Sequence, residues 1–422
     1  MTYYVDPREG NPLSDGLSES APLSDIQGLH LAPGDTVLFK RGTVIKKALF
    51  LPAGSEEGYI TYGAYGEGAD PVVNPSTDAS SPEDWREEQP GIWRFLGTLT
   101  SEMCNIVLND GETFGNLRWE FGDLRHEGEW FYTLLGRECK DQSDGILYLV
   151  CSQNPGLKYR TVELVTRETH QAVTAKRYVK IEHLTIEKNG IHGFASTQAD
   201  HIEIRHCTFR CLGGGVFDLP TRVRLGNGVE FWDGAVDCVV EHCVFEDIYD
   251  SGVTHQGTLQ TSWIPERLYF RNNIFIRCGM AAYEWRGPSS RDIYFENNLC
   301  LQAGGAFTMQ GEQPPRKTEI PFSPATCVYV LIWLLEQGIP RGDTFCTIRN
   351  NIFCNAPSHG AAISSGIDDS FMRQFVIDNN FYVQNDDSPL ARTNKGIYDR
   401  DGFRRYQQEN DLDQNSTVLS IH

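Results

Sequence analysis

Four carboxylates, Glu230, Asp233, Asp250 and Glu284, fall in one stretch of chain that also carries Trp232, His255, Gln256, Trp285 and Arg286. Two carboxyl groups in unlike settings, beside aromatic walls and amide side chains, are what cleavage of a glycosidic bond demands. One must be protonated to serve the leaving oxygen, and the other ionised beside the anomeric carbon. Glu284 stands out because Tyr283 and Trp285 flank it, and apolar neighbours raise a carboxyl's proton affinity. Asp250 before Ser251-Gly252 and Asp233 before Gly234 serve equally well as turn residues.

Only a repeat brings such scattered residues together, and the chain contains one. Ile181-Glu182-His183-Leu184-Thr185-Ile186 returns as Ile204 to Phe209 and Val240 to Phe245, with His206-Cys207 and His242-Cys243 at its centre. It returns four times more, centred on Asn272-Asn273, Asn297-Asn298, Asn350-Asn351 and Asn379-Asn380. The intervals of 23, 36, 30, 25, 53 and 29 residues describe one short unit carrying loops of variable length. Each unit holds short alternating strands whose apolar face stays open until the next unit stacks on it, so the expected fold is all-β, a right-handed parallel β-helix. The second Asn of each pair is expected in a left-handed turn, its amide bonding to the next coil. Cys207 and Cys243 take that slot as small buried residues.

On this frame the strand after each motif places Gln256, Glu284 and Gln310 in one outward column, with Val253, Tyr283 and Phe307 turned the other way. Glu230, Asp233 and Asp250 then lie one or two coils from Glu284. Neighbouring coils suit the ~5 to 5.5 Å separation of a retaining pair, such as Asp250 with Glu284. Coils two apart suit the ~6.5 to 9.5 Å of an inverting pair, such as Asp233 with Glu284. Trp232, Gln256, Trp285, Arg286 and Gln310 complete the expected substrate-binding set. His255 joins it, although alternation favours a packed inward ring, and Trp333 joins it if its strand turns the indole to the groove.

Four segments follow. Residues 1–79 form an N-terminal cap and first coils, with a buried strand at Val37-Leu38-Phe39 after Pro33-Gly34-Asp35 and a short capping helix from Leu23 to Leu31. Residues 80–165 lack the motif and carry Trp85, Trp93, Trp119 and Trp130, which reads as an inserted β-sandwich-like module. The main solenoid spans 166–395, and 396–422 forms a polar C-terminal cap or tail.

A net charge of −20 argues against a nucleic-acid backbone as partner. No apolar run approaches a membrane span, and the first residues lack a basic region followed by an apolar run, so a cytoplasmic protein with twelve reduced cysteines is expected. No metal or cofactor is expected, since His206, Cys207 and Cys211, like Cys238, His242 and Cys243, lack the paired knuckles of a zinc site. A solenoid of this kind is compatible with a monomer or with a homo-oligomer paired along a flank.

The Tyr4-Val5-Asp6-Pro7 opening, the strand after Pro33-Gly34-Asp35 and the Asn-Asn coils resemble the right-handed parallel β-helix proteins of the pectate lyase-like superfamily. With its early insertion the chain is similar, more narrowly, to β-helical glycoside hydrolases that include β-xylosidases and fucosidase or xylanase relatives. That resemblance implies a retaining hydrolase of oligosaccharides or polysaccharides, with Glu284 as acid/base and Asp250 or Asp233 as nucleophile. Pectate lyases share the fold but pair Ca²⁺ with a basic residue, where this column offers Gln. Arg286 and Arg271 keep a uronate lyase or epimerase as an alternative, because a guanidinium binds a carboxylate. A non-catalytic glycan-binding solenoid is the third reading.

Overall fold

The computed structural model describes all residues except 137–144, 221, 258–262, 287–289, 304–306, 308–327, 334–345, 355–362, 366–371, 385–388 and 420–422. Among the described residues, short strands stack coil upon coil, nearly all in parallel, into a sheet of eighteen strands and a second of ten. The motif strands carry one wall: Ile60–Tyr65, Arg177–Glu182, His192–Arg205, Val229–Glu241, Glu266–Arg271 and Arg291–Glu296 pair in that order. The residues after each motif build the ten-stranded sheet, among them Thr208–Leu212, Val244–Ile248 and Ile274–Cys278. A third wall is formed by Gln171–Thr174, the first half of His192–Arg205, the first half of Val229–Glu241, Ser251–Gln256 and Ala281–Arg286. The fold is thus an all-β parallel β-helix.

Stacking gives like residues like neighbours. Phe209, Phe245 and Phe275 form a column with ring centroids 4.9 Å apart at each step and nearly parallel planes. Gly193, Gly228 and Gly252 lie against that column, and a Cβ at any of them would meet a phenylalanine ring carbon at 2.5 to 2.8 Å. Glycine therefore lets the third wall close onto the aromatic stack.

The paired asparagines divide their labour differently from the sequence expectation. The first of each pair adopts the left-handed backbone, with φ between 55° and 58° at Asn272, Asn297, Asn350 and Asn379, and His183, His206 and His242 do the same. The second is buried and forms the ladder. Asn351 Oδ1 accepts the Asn298 N–H at 2.9 Å, and Asn351 Nδ2 donates to Phe295 O at 3.0 Å and to Asn380 Oδ1 at 3.1 Å. Cys243 enters the same ladder, its N–H donating to Asn273 Oδ1 at 2.9 Å while its thiol faces Ile204 O.

Between Thr77 and Thr166 two small sheets, one of four strands and one of five, enclose a separate core around Trp85, Trp130 and Tyr132. No helix forms over Leu23 to Leu31. Leu23 bridges to Val5, and the Asp25 carboxylate accepts the N–H groups of Ile26 and Gln27, a side-chain turn that competes with helix. The C-terminal stretch forms the helix Phe403–Asn410 and the strand Thr417–Leu419, which adds to the ten-stranded sheet.

Candidate active-site cleft

Strand register decides which side chains meet on the third wall. Glu230 pairs with Thr254, Thr254 with Glu284, and Glu284 with Leu331. One position in from these, Phe231, His255 and Trp285 pair and face the core, and the next outward column begins with Trp232 beside Gln256. The sequence frame was therefore two residues out: Gln256 shares a column with Trp232, not with Glu284, and Gln310 lies outside the described residues. The frame failed because matching Thr-His-Gln-Gly to Thr-Met-Gln-Gly aligned one coil by composition, whereas backbone hydrogen bonding sets Val229, Val253 and Tyr283 in one register.

Several expectations change with that register. Glu284 does point outward but is fully buried rather than open to solvent or ligand. Its Oε2 accepts from Ser251 Oγ at 3.0 Å and Gln256 Nε2 at 3.3 Å, and Arg286 Nη1 lies 3.9 Å from its Oε1. Tyr283 and Trp285 point into the solenoid, as alternation requires of residues flanking an outward one, so they pack the core rather than Glu284. Trp285 donates from Nε1 to Ser290 Oγ at 2.7 Å and stands edge-on to Phe375, which removes it from a substrate-binding role. His255 is a core residue stacked on Tyr283, its basicity pushed down to about 3 by burial, and it is likewise withdrawn from the site. Asp233 occupies a bulge where Thr197 opposes Trp232 but Ala199 opposes Ala235; with φ of 52° it leads into Gly234 and does not line the cleft. Trp333 ends the strand Val328–Trp333 at the register position beside Arg286.

What the wall does bring together is a cleft of about 1080 Å³, at the upper end for small-molecule sites, with Glu230, Trp232, Asp250, Gln256 and Arg286 on its surface. Glu230 sits on the second residue of Val229–Glu241, and Asp250 in the turn entering Ser251–Gln256. The Asp250 N–H donates to Gly226 O at 2.9 Å, which ties that turn to the coil of Glu230. Arg286 ends its strand and donates to Gln256 Oε1 at 3.3 Å.

Glu230 is a cleft carboxyl strongly altered by its surroundings. Burial pushes its pKa up to about 7, with the nearby Asp250 carboxylate adding to the rise, while the Asn227 amide and the charges of His170 and Arg286 oppose it. Asn227 Nδ2 donates to Glu230 Oε2 at 2.6 Å. His192 stands on the same carboxylate oxygen, Nε2 to Oε2 3.5 Å. Its Nδ1 accepts the Asn227 N–H at 3.1 Å, and burial lowers its pKa to about 4, so the ring is neutral at pH 7 with its proton on Nε2.

His192 and Asn227 were missed in the sequence. The available signal was the polar-glycine step His192-Gly193, Asn227-Gly228 and Ser251-Gly252, which places the polar residue at one slot in successive coils.

The opposite wall is a hairpin, Gly215–Asp218 with Val223–Leu225, from which Phe217, Asp218 and Arg224 reach the cleft. The inserted module holds it in place. Glu102 accepts the Val216 N–H at 3.0 Å, Arg167 Nη1 donates to Val216 O at 2.8 Å, and Arg224 Nη2 donates to Cys104 O at 2.6 Å. Among the described residues no group of three His, Cys, Asp or Glu side chains is arranged to hold a metal ion, and no helix is long and apolar enough to cross a membrane.

The fold and cleft define a parallel β-helix protein with a carboxylate-bearing groove on one wall. Among solved structures the chain is similar to a GH136 lacto-N-biosidase from Eubacterium ramulus, at 14% identity and TM-score 0.44, covering 100% of this chain and 68% of that one. It is similar to XylC in complex with xylose, at 10% identity and TM-score 0.48, covering 99% and 83%. It is also similar to pectate lyase Pel9A, at 12% identity and TM-score 0.41, covering 86% and 77%. No family model and no curated protein matches the sequence.

Proposed function

We propose that this protein is a carbohydrate-active enzyme that hydrolyses glycosidic bonds of oligosaccharides, with Glu230 as proton donor and Asp250 as its ionised partner. The observation that carries the reading is Glu230 itself: a carboxyl at a cleft surface whose pKa is pushed up to about 7 beside a second carboxylate. Near neutral pH about half of it keeps a proton that it can deliver, which is the task of a general acid.

In this scheme Glu230 transfers its proton to the glycosidic oxygen as the bond to the anomeric carbon breaks. Asp250 attacks that carbon from the other side, forming an ester. Water then enters, the ionised Glu230 takes its proton, and the released sugar keeps its configuration. Trp232 offers an indole face for the pyranose ring, and Arg286 and Gln256 offer donors to its hydroxyls. Glu284, placed first by the sequence reading, lies buried beneath Gln256 and Arg286 and holds the Gln256 amide in place.

A uronate lyase is the second reading, favoured by Arg286, whose side chain is 31% exposed at the cleft and suited to a carboxylate. One experiment separates the readings: a panel of aryl glycosides, xylo-oligosaccharides and uronate polymers, assayed for reducing sugar and for the ultraviolet absorbance of unsaturated uronides. Reducing sugar without that absorbance, lost in Glu230→Gln, supports hydrolysis. The absorbance identifies a lyase, and binding with neither signal identifies a glycan-binding solenoid.

A further inference from the structure

Thr254 stands between the two outward glutamates, one rung from Glu230 and one from Glu284. It is fully buried, and among the described residues its hydroxyl has no hydrogen-bond partner. A buried hydroxyl without a partner is costly, and Val, of the same shape and better suited to a strand, would remove that cost. Rungs ~4.8 Å apart are too far for a direct hydrogen bond between equivalent atoms and about right for one bridging water. Glu284 supplies further polar surface here through its bond from Ser251 Oγ.

We propose that Thr254 and Glu284 are positioning residues for Glu230: the Thr254 hydroxyl holds one water against the Glu230 carboxyl, and Glu284 orients that hydroxyl from the far side. The inference rests on the role assigned to Glu230 above. A threonine hydroxyl has one proton to donate and two lone pairs, so it serves either carboxylate by rotation. While Glu230 is protonated the hydroxyl proton turns toward the Glu284 carboxyl without a direct hydrogen bond to it. Once the Glu230 proton has gone to the leaving oxygen, the hydroxyl turns and donates through the water to the new carboxylate. The other groups that act on Glu230 are His192 and Asn227 at the start of the wall, Asp250 on the next coil, Arg286 and His170. Asp250 and Arg286 also lie on the Thr254 side, at the turn before one strand and at the end of the next, whereas Thr254 occupies the position on that side that pairs with Glu230.

The test needs no substrate. Infrared titration of the full-length protein follows the carboxylic C=O band that Glu230→Gln removes. Thr254→Val is expected to raise the midpoint of that band by about one pH unit, because the carboxylate loses a donor. Thr254→Ser is expected to restore it, and Glu284→Gln to lower it, because a weaker acceptor on the far side leaves the hydroxyl freer to donate toward Glu230. A Thr254→Val protein that titrates like the wild type and resists denaturant better would overturn the proposal, since the hydroxyl would then be a bare defect. If Glu230→Gln removes no band, the protonated Glu230 and its relay both fall. If it removes the band but keeps turnover, only the catalytic role of Glu230 falls.

Discussion

Replacing Glu230 by Gln should abolish turnover and at the same time stabilise the protein above neutral pH. The folded pKa, about 7, lies above the ordinary 4.5, so the native state holds a proton that the unfolded chain has released between those values. Stability associated with that proton is fully present below pH 4.5 and is lost as pH rises through 7. At about 1.4 kcal/mol per pH unit, the loss reaches about 3 kcal/mol by pH 8. Gln has the shape of the protonated acid and can still accept from Asn227, so the variant escapes the loss. With roughly 2 cal/mol/K of unfolding entropy per residue over a chain of 422, that is a rise in Tm of about 3 °C at pH 8 and almost none at pH 4.5. Calorimetry at both pH values, beside the glycoside assay, reads the two effects. A Tm change independent of pH, or retained turnover, would refute the reasoning.

Other outcomes follow from the same geometry. Asn227→Ala removes the 2.6 Å donor that favours ionised Glu230, so the basic limb of the rate-pH profile should move up by about one pH unit. Asn351→Ala breaks the ladder at a rung that serves both neighbours and should cost about 3 kcal/mol in urea denaturation, whereas Asn350→Ala, at the exposed left-handed position, should cost about 1 kcal/mol. Asp413 closes the ladder, accepting from Asn380, Tyr382 and Tyr406, and burial pushes its pKa from 3.8 to about 6. Its contribution should therefore decline from pH 4 to above 6, by up to about 3 kcal/mol relative to Asp413→Asn, read by hydrogen exchange in the last coils.

Much of the fold was legible because a solenoid writes its coil into the chain again and again. The Asn-Asn and His-Cys pairs mark one corner per coil, and the alternation at Val240 to Phe245 or Phe270 to Phe275 marks the strands that follow it. The site was only partly legible. Glu230, Asp250, Trp232, Gln256 and Arg286 were picked out and do share a cleft, but Glu284 ranked first on the strength of aromatic flanks that alternation sends inward. Sequence neighbours on a strand are opposite in space, so flanking residues report the core rather than the setting of the residue between them.

The sequence by itself determined the repeat, the corner residues and the set of outward polar side chains, because these depend on local periodicity. Tertiary structure alone decided which carboxylate is perturbed. The hydrogen-bonded register between coils put Thr254, not Gln256, beside Glu230 and Glu284. The hairpin held by the inserted module walled the cleft, with Asn227 and His192 close around the acid. A pKa is set by desolvation and by charges within a few ångströms, and those neighbours come from residues far apart along the chain, which no local pattern records.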